Sequence, residues 1–187
     1  DLKKVDYLVL SHGHSDHTGG AKQFLELNTQ AKVICKKEAL QKKYKDAREN
    51  GFVSAGQVDE NRLWLVDSLT EIVPGVSVLP QIKITEKGDT HFEHFFTVKD
   101  GNIVPDTFED ELALILSDSK TISVLSSCSH RGITNIIRCA FEAFPEHTLN
   151  VVIGGFHVRN AGDDKLDLIS TYLGRKLPKR LGVCHCT

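Results

Sequence analysis

The chain has 187 residues, 40% of them apolar and 26% charged, with a formal net charge of −2. That length and balance suit a single soluble domain, spanning residues 1–187, with one or two packed layers. A near-neutral charge speaks against nucleic-acid binding through a broadly basic surface, and no apolar run reaches the length of a membrane span.

In chain order, residues 5–10 read as a short buried strand that runs into Ser11-His12-Gly13-His14-Ser15-Asp16-His17. Residues 18–27 suit a short helix, with Phe24, Leu25 and Leu27 available for a buried face. Residues 31–35 form a second strand. The lysine-rich stretch 36–50 is predicted to be helical, and 51–61 irregular, with Gly51 and Gly56 as breakers. Strands are predicted at 62–66, 71–79, 112–116, 121–125 and 149–153, with 83–108 as a long loop over one face. Ile133, Ile136, Ile137, Ala140, Phe141 and Phe144 form one apolar helical stripe, stopped by Pro145. Leu166, Ile169 and Leu173 form a second stripe, ended by Gly174. Strands in series with helices between them predict a layered α/β (α+β) fold.

Five cysteines, Cys35, Cys128, Cys139, Cys184 and Cys186, are odd in number and dispersed. They argue against a disulfide scaffold and for a reducing, cytoplasmic setting. The histidines are more informative. His12, His14, Asp16 and His17 place four potential ligands within six residues, directly after a buried strand. In an extended segment residues two apart point the same way, so His12 and His14 can converge on one metal. Asp16 and His17, past the turn, can face a second position. Imidazole and carboxylate donors suit zinc, iron or manganese. The alternative is a polar surface loop rich in histidine.

Ser126-Ser127-Cys128-Ser129-His130-Arg131-Gly132 sits between a strand and a helix, where side chains are presented for function. It offers His130, and Cys128 as a second donor or reactive group; the alternative is a helix-capping turn. Gly154-Gly155-Phe156-His157 again follows a strand, and its glycines permit close backbone approach. Here the alternative is a strand-end turn with a hydrogen-bonded histidine. Cys184-His185-Cys186-Thr187 closes the chain. No second close cysteine pair exists to complete a four-cysteine zinc site, so His185 is the better single ligand. Ligands delivered from several strand ends imply a site at one sheet edge.

The His12-Gly13-His14-Ser15-Asp16-His17 run resembles the HxHxDH signature of the metallo-β-lactamase fold superfamily. Cys128-Ser129-His130-Arg131-Gly132-Ile133, Gly154-Gly155-Phe156-His157 and His185-Cys186-Thr187 resemble one branch of it, the metal-dependent hydrolases of β-lactamase superfamily II. That branch includes dihydropterin ribofuranosyl-aminobenzene phosphate synthases, linked to methanopterin-type cofactor synthesis. The resemblance runs from Leu8 to Thr187. It implies a four-layer αβ/βα sandwich with metals at one edge. One metal would be held by His12, His14 and His130, the other by Asp16, His17 and His185. The superfamily usually bridges its metals with an aspartate where this chain has His157, and a histidine bridges poorly unless deprotonated. The second position is therefore expected to be weaker, differently coordinated or empty, with Asp106, Asp110 or Glu111 as substitute carboxylates. Family members carry a strand pair before the first motif, so the domain is expected to be truncated at its N-terminus. Both ends read as cuts through a larger domain.

A metal held by three neutral histidines keeps an open position for water, lowers that water's pKa and polarises an ester or phosphoryl oxygen. By resemblance, Asp16 orients or deprotonates the nucleophile, and His130 shares the catalytic centre. Arg131 is the candidate for gripping phosphate. Ser127 and Ser129 are candidates for added hydrogen bonds to substrate. The implied activity is a metal-dependent hydrolase or transferase acting on a phosphate-bearing or ester small molecule, with a pterin-related substrate as the alternative that the resembled branch suggests. One or two zinc ions are expected, with iron or manganese as alternatives. Neither a nucleic-acid nor a membrane partner is expected. Lys36, Lys37, Lys42, Lys43, Lys45 and Arg48 read as a solvated helix face, or alternatively as a steering patch for anions. The competing functions are an iron-dependent redox enzyme and a binding protein with a degenerate site. A nuclease is disfavoured, because aromatic and basic residues do not interleave.

Overall fold

A computed structural model describes residues 1–187 as a mixed α/β protein with three sheets. Its strands are β1 (Tyr7–Val9), β2 (Lys32–Cys35), β3 (Lys43–Lys45), β4 (Arg48–Glu49), β5 (Leu63–Leu65), β6 (Thr70–Val73), β7 (Val76–Leu79), β8 (Phe95–Lys99), β9 (Asn102–Pro105), β10 (Ala113–Ser117), β11 (Thr121–Leu125), β12 (Thr148–Gly154) and β13 (Arg180–Val183). Its α-helices are α1 (Ser15–Thr18), α2 (Ala21–Leu27), α3 (Ile133–Ala143) and α4 (Asp163–Lys176). The chain divides into two compact units: Asp1–Asp67 with Phe92–Asp110, and Ser68–His91 with Glu111–Thr187. No helix is long and apolar enough to cross a membrane.

The first unit holds a parallel sheet in the order β1-β2-β5 and an antiparallel sheet in the order β4-β3-β8-β9. Val33 and Cys35 of β2 are fully buried and join Leu10, Ala21, Ala39, Phe52 and Val58 in one apolar cluster. Leu25 packs against that cluster, whereas Leu27, expected on the buried face of α2, is exposed. The stretch 36–50 is not helical. It makes a 3-10 turn over Lys37–Leu40 and then the β3–β4 hairpin, with β3 also paired to β8. The reason lies far along the chain. Lys43 is buried, with its Nζ 2.7 Å from Asp106 and 3.0 Å from Asp110. Burial alone would lower the pKa of Lys43, but the two carboxylates outweigh it and hold the ammonium above its usual value. A solvated lysine face is thus the wrong description of this residue. Likewise, 83–108 is not a long loop: β8 and β9 form an antiparallel pair within it.

The second unit holds one six-stranded sheet in the order β13-β12-β11-β10-β7-β6. β11, β12 and β13 are parallel, while β10 runs antiparallel to both β11 and β7. The predicted stripe on α3 forms as read. Ile133, Ile136, Ile137 and Ala140 are fully buried in one core with Ile115, Ile122, Val124 and Val152. Each such isoleucine contributes about 1.5–3 kcal/mol of burial. Asp89 caps the start of α3, accepting from the Thr134 N–H at 2.7 Å and the Thr134 hydroxyl at 2.8 Å. On α4, Ile169 and Leu173 are buried but Leu166 is exposed. The helix passes through Gly174 to Lys176 and stops with Leu177 in the left-handed region. Arg175 and Lys176 favour that extension by placing positive charge at the helix C-terminus. Strand β13 was not predicted, because its mostly exposed residues carry no apolar alternation.

Removing one member of a buried ion cluster leaves uncompensated charge. Lys43→Met is therefore expected to cost about 3–5 kcal/mol in denaturant unfolding. Lys42→Met, at an exposed neighbour, should change stability by less than about 0.5 kcal/mol.

Candidate metal centre

In the first unit, β1 delivers the chain to Leu10, which is buried, and the histidine turn follows. A side chain at Gly13 would collide with the carbonyl oxygen of Ala39, so the turn needs glycine there. The Gly13 N–H donates to Asp110 Oδ2 at 2.7 Å. The turn then closes into α1. The Thr18 hydroxyl donates to the His14 carbonyl at 2.9 Å, and the Ser15 hydroxyl donates to Asn50 Oδ1 at 2.7 Å. These bonds bring three imidazoles together. The ring centroids of His12 and His14 lie 4.8 Å apart, and those of His12 and His17 lie 4.4 Å apart.

His12 and His14 are buried, and Phe95 and Phe108 pack on the His14 ring at 4.8 and 5.0 Å. Burial, reinforced by the Lys43 charge, lowers the pKa of His14 from 6.5 to about 3. The ring is therefore neutral at physiological pH, the form that binds metal. Asp16 is exposed and lies 3.4 Å from His17 Nε2. Hydrogen bonding to His17 lowers the carboxyl pKa to about 2, so Asp16 stays ionised.

In the second unit, β11 leads into the His130 turn. Glu111 is fully buried and fixes it, with Oε1 accepting the His130 N–H and Oε2 the Arg131 N–H, each at 2.7 Å. His130 Nδ1 lies 3.0 Å from the carbonyl oxygen of His91. A carbonyl can only accept, so Nδ1 carries the proton and the ring lone pair resides on Nε2. The His91 N–H returns a bond to the His130 carbonyl at 2.8 Å. His157 lies close by, its ring centroid 4.2 Å from that of His130 and 4.3 Å from that of His91. His157 Nδ1 is also 2.7 Å from Cys186 Sγ. A hydrogen bond with Cys128 pulls the Cys186 thiol down to about 4, against the opposing effect of burial and with added help from His157.

The expected residues thus fall into sets. The structure gathers His12, His14 and His17, with Asp16 beside His17. Within the second unit it gathers His130 and His157 with His91. His185 is exposed, with φ of 57°. Three expectations need correction. Ser129 does not face outward to meet a substrate: it is fully buried, and its hydroxyl donates to the Gly155 carbonyl at 2.7 Å. Asp106 and Asp110 are not spare metal ligands, since both neutralise Lys43. Nor is Glu111, whose two oxygens hold backbone N–H groups. Arg131 is half-buried and spends Nε on the Ile82 carbonyl at 2.9 Å. Sequence reasoning missed His91, which stands in no ligand-spaced motif.

These donors fit a divalent metal ion. His14 is held neutral by burial, and the tautomer of His130 is fixed by a carbonyl, as in histidines that ligate metal.

Residues 1–111 match the family described as the metallo-beta-lactamase superfamily. The chain is 29% identical to 7,8-dihydropterin-6-methyl-4-(beta-D-ribofuranosyl)-aminobenzene-5'-phosphate synthase of Methanocaldococcus jannaschii, over 99% of this chain and 67% of that protein. It is 30% identical to the uncharacterized protein MJ0448 of the same organism, over 89% of this chain and 63% of that protein. The chain therefore spans about two thirds of the length of these relatives. Its fold is similar to the crystal structure of Tm1679, a metal-dependent hydrolase of the beta-lactamase superfamily. The TM-score is 0.80 at 32% identity, covering 96% of this chain and 68% of that one.

The lowered His14 pKa has a thermodynamic consequence. Folding favours the neutral ring, so its contribution is complete above about pH 6.5 and is lost as pH falls from there towards about 3. Metal-free protein should show a falling denaturant midpoint as it is acidified below about pH 6.5, before the carboxylates titrate. His14→Gln should flatten that part of the profile, and an unchanged slope would refute the assignment.

Proposed function

Because the chain belongs to the metallo-β-lactamase superfamily, we propose that it is a metal-dependent hydrolase or related group-transfer enzyme. The family pattern assigns His12, His14 and His130 to one ion. It assigns Asp16, His17 and His185 to a second position, with His157 standing where the bridging aspartate falls. Zinc is the ion that neutral imidazoles favour, with iron or manganese as alternatives. Such an ion supplies a water of lowered pKa and a Lewis acid for an ester or phosphoryl oxygen.

The chain's own residues then have distinct tasks. Asp16, kept ionised by His17, orients or deprotonates the attacking water. His130 enters the centre through Nε2, because its Nδ1–H is committed to the His91 carbonyl. The guanidinium of Arg131 grips an anionic group on the substrate. Ser129, buried against Gly155, is a positioning residue for the turn that carries both. The substrate class is a phosphate-bearing or ester small molecule. The name of the Methanocaldococcus jannaschii synthase supports a pterin-related phosphate. Dispersed cysteines, odd in number, support a reducing, cytoplasmic setting.

The observation that carries this reading is the preparation of the imidazoles as ligands: His14 is neutral through burial and His130 is locked in one tautomer. Elemental analysis after His12→Ala and His14→Ala together should show loss of bound metal, and unchanged metal content would overturn the reading. Asp16→Asn should lower turnover of a generic phosphodiester or lactone by about 10²–10⁴-fold while metal from the His12 set is retained.

A further inference from the structure

We propose that Cys128, Cys186 and His157 form a thiolate-rich Cys₂His site for a soft divalent ion, built entirely within the second unit. Their two Sγ atoms and a ring nitrogen lie within 4.8 Å of one another. They come from three segments. Cys128 belongs to the turn after β11, His157 to the turn after β12, and Cys186 to the segment after β13. The sheet brings these together, because β11, β12 and β13 are parallel neighbours whose C-terminal ends emerge on the same side.

Backbone bonds hold the segments in that arrangement. The Cys184 N–H donates to the Gly154 carbonyl at 3.1 Å, and the Gly155 N–H to the Ser127 carbonyl at 2.8 Å. The Phe156 N–H donates to the Thr187 hydroxyl at 3.0 Å. Gly155 provides the space. A Cβ there would come within 2.6 Å of Cys186 Sγ and 2.7 Å of the Ser127 carbonyl oxygen, so any side chain would push the cysteine away. Cys128 is buried and Cys186 half-buried, which leaves one open side.

The dimensions suit zinc. Tetrahedral bonds of about 2.3 Å to sulfur and 2.0 Å to nitrogen separate two sulfurs by about 3.8 Å and sulfur from nitrogen by about 3.5 Å. The His157–Cys186 separation is 2.7 Å. It would need to open by less than about 1 Å to admit the ion. Three protein donors leave a fourth position for water or substrate. Thiolates select zinc over magnesium, calcium or manganese. This inference goes beyond the proposed activity and shares only His157 with it. It also gives His157 a partner set of its own, where a histidine alone would bridge two metals poorly.

Cobalt(II) titration of the metal-free full chain tests it. Thiolate ligation gives an intense sulfur-to-cobalt charge-transfer band in the near ultraviolet, which imidazole and carboxylate ligation do not. The band is expected in the unsubstituted protein. It should vanish in Cys186→Ser, and also in Cys128→Ser if that variant folds. It should persist in Cys184→Ser and in the His12→Ala, His14→Ala double variant. Thiol labelling of the unsubstituted protein provides a second measurement: zinc should protect the half-buried Cys186, which reacts in its absence, while the exposed Cys184 reacts either way. Absence of the band at saturating cobalt, or its survival in Cys186→Ser, overturns the site. Failure of the proposed activity would appear instead as unchanged metal content in the double variant.

Discussion

A carboxylate taken out of water costs several kcal/mol unless its oxygens find strong donors. Asp110 and Glu111 are consecutive and both fully buried, and each spends itself on the backbone of a histidine turn within its own unit. Asp110 accepts from the Gly13 N–H while its other oxygen faces Lys43. Glu111 accepts from the N–H groups of His130 and Arg131. Hydrogen bonds to an ionised acceptor are roughly twice as strong as neutral ones. Fixing the main chain in this way fixes where each imidazole starts. The side chains then need only local help, from Phe95 and Phe108 at His14 and from the His91 carbonyl at His130.

Much of this was legible in the sequence where the signal was local. The histidine run after a short apolar strand was visible as spacing alone. The Ile133–Ala140 stripe was visible as helical periodicity, and the strand Thr121–Leu125 as an apolar segment bounded by polar turns. What stayed hidden depends on partners distant in the chain. Lys43 looks like one lysine among several until Asp106 and Asp110, more than sixty residues on, are seen to bury it. Without that pair the segment's lysines and glutamates spell a helix, and β3 has no reason to form. β8 and β9 pair with each other and β8 with β3, and that partnership leaves no periodicity to read over five residues. His91 acts through its main-chain carbonyl, which has no residue-type signature at all.

The same limit explains why Ser129 reads in the sequence as a substrate contact. Serine beside His130 suggests contact with substrate, but Ser129 has φ of 54°, a left-handed conformation that non-glycine residues adopt at a cost. Its buried hydroxyl, bonded to Ser126 and Gly155, helps hold that conformation. Side chain and strained backbone are therefore one device, and its product is the direction in which His130 leaves the turn.

His157 repeats that logic with a different outcome. It too is left-handed, at φ 49°, and the Phe156 N–H bond to Thr187 ties its turn to the end of the chain. The family's usual residue at this point is a carboxylate, which can give one oxygen to each of two metals. An imidazole with one nitrogen against a thiol cannot do that while neutral. A chain that holds a histidine here in a strained conformation, with Gly155 kept open for Cys186, has kept the geometry of a ligand-bearing turn. In the proposed site the donors are nitrogen and sulfur in place of hard oxygen. Such a set favours softer ions at this corner of the sheet.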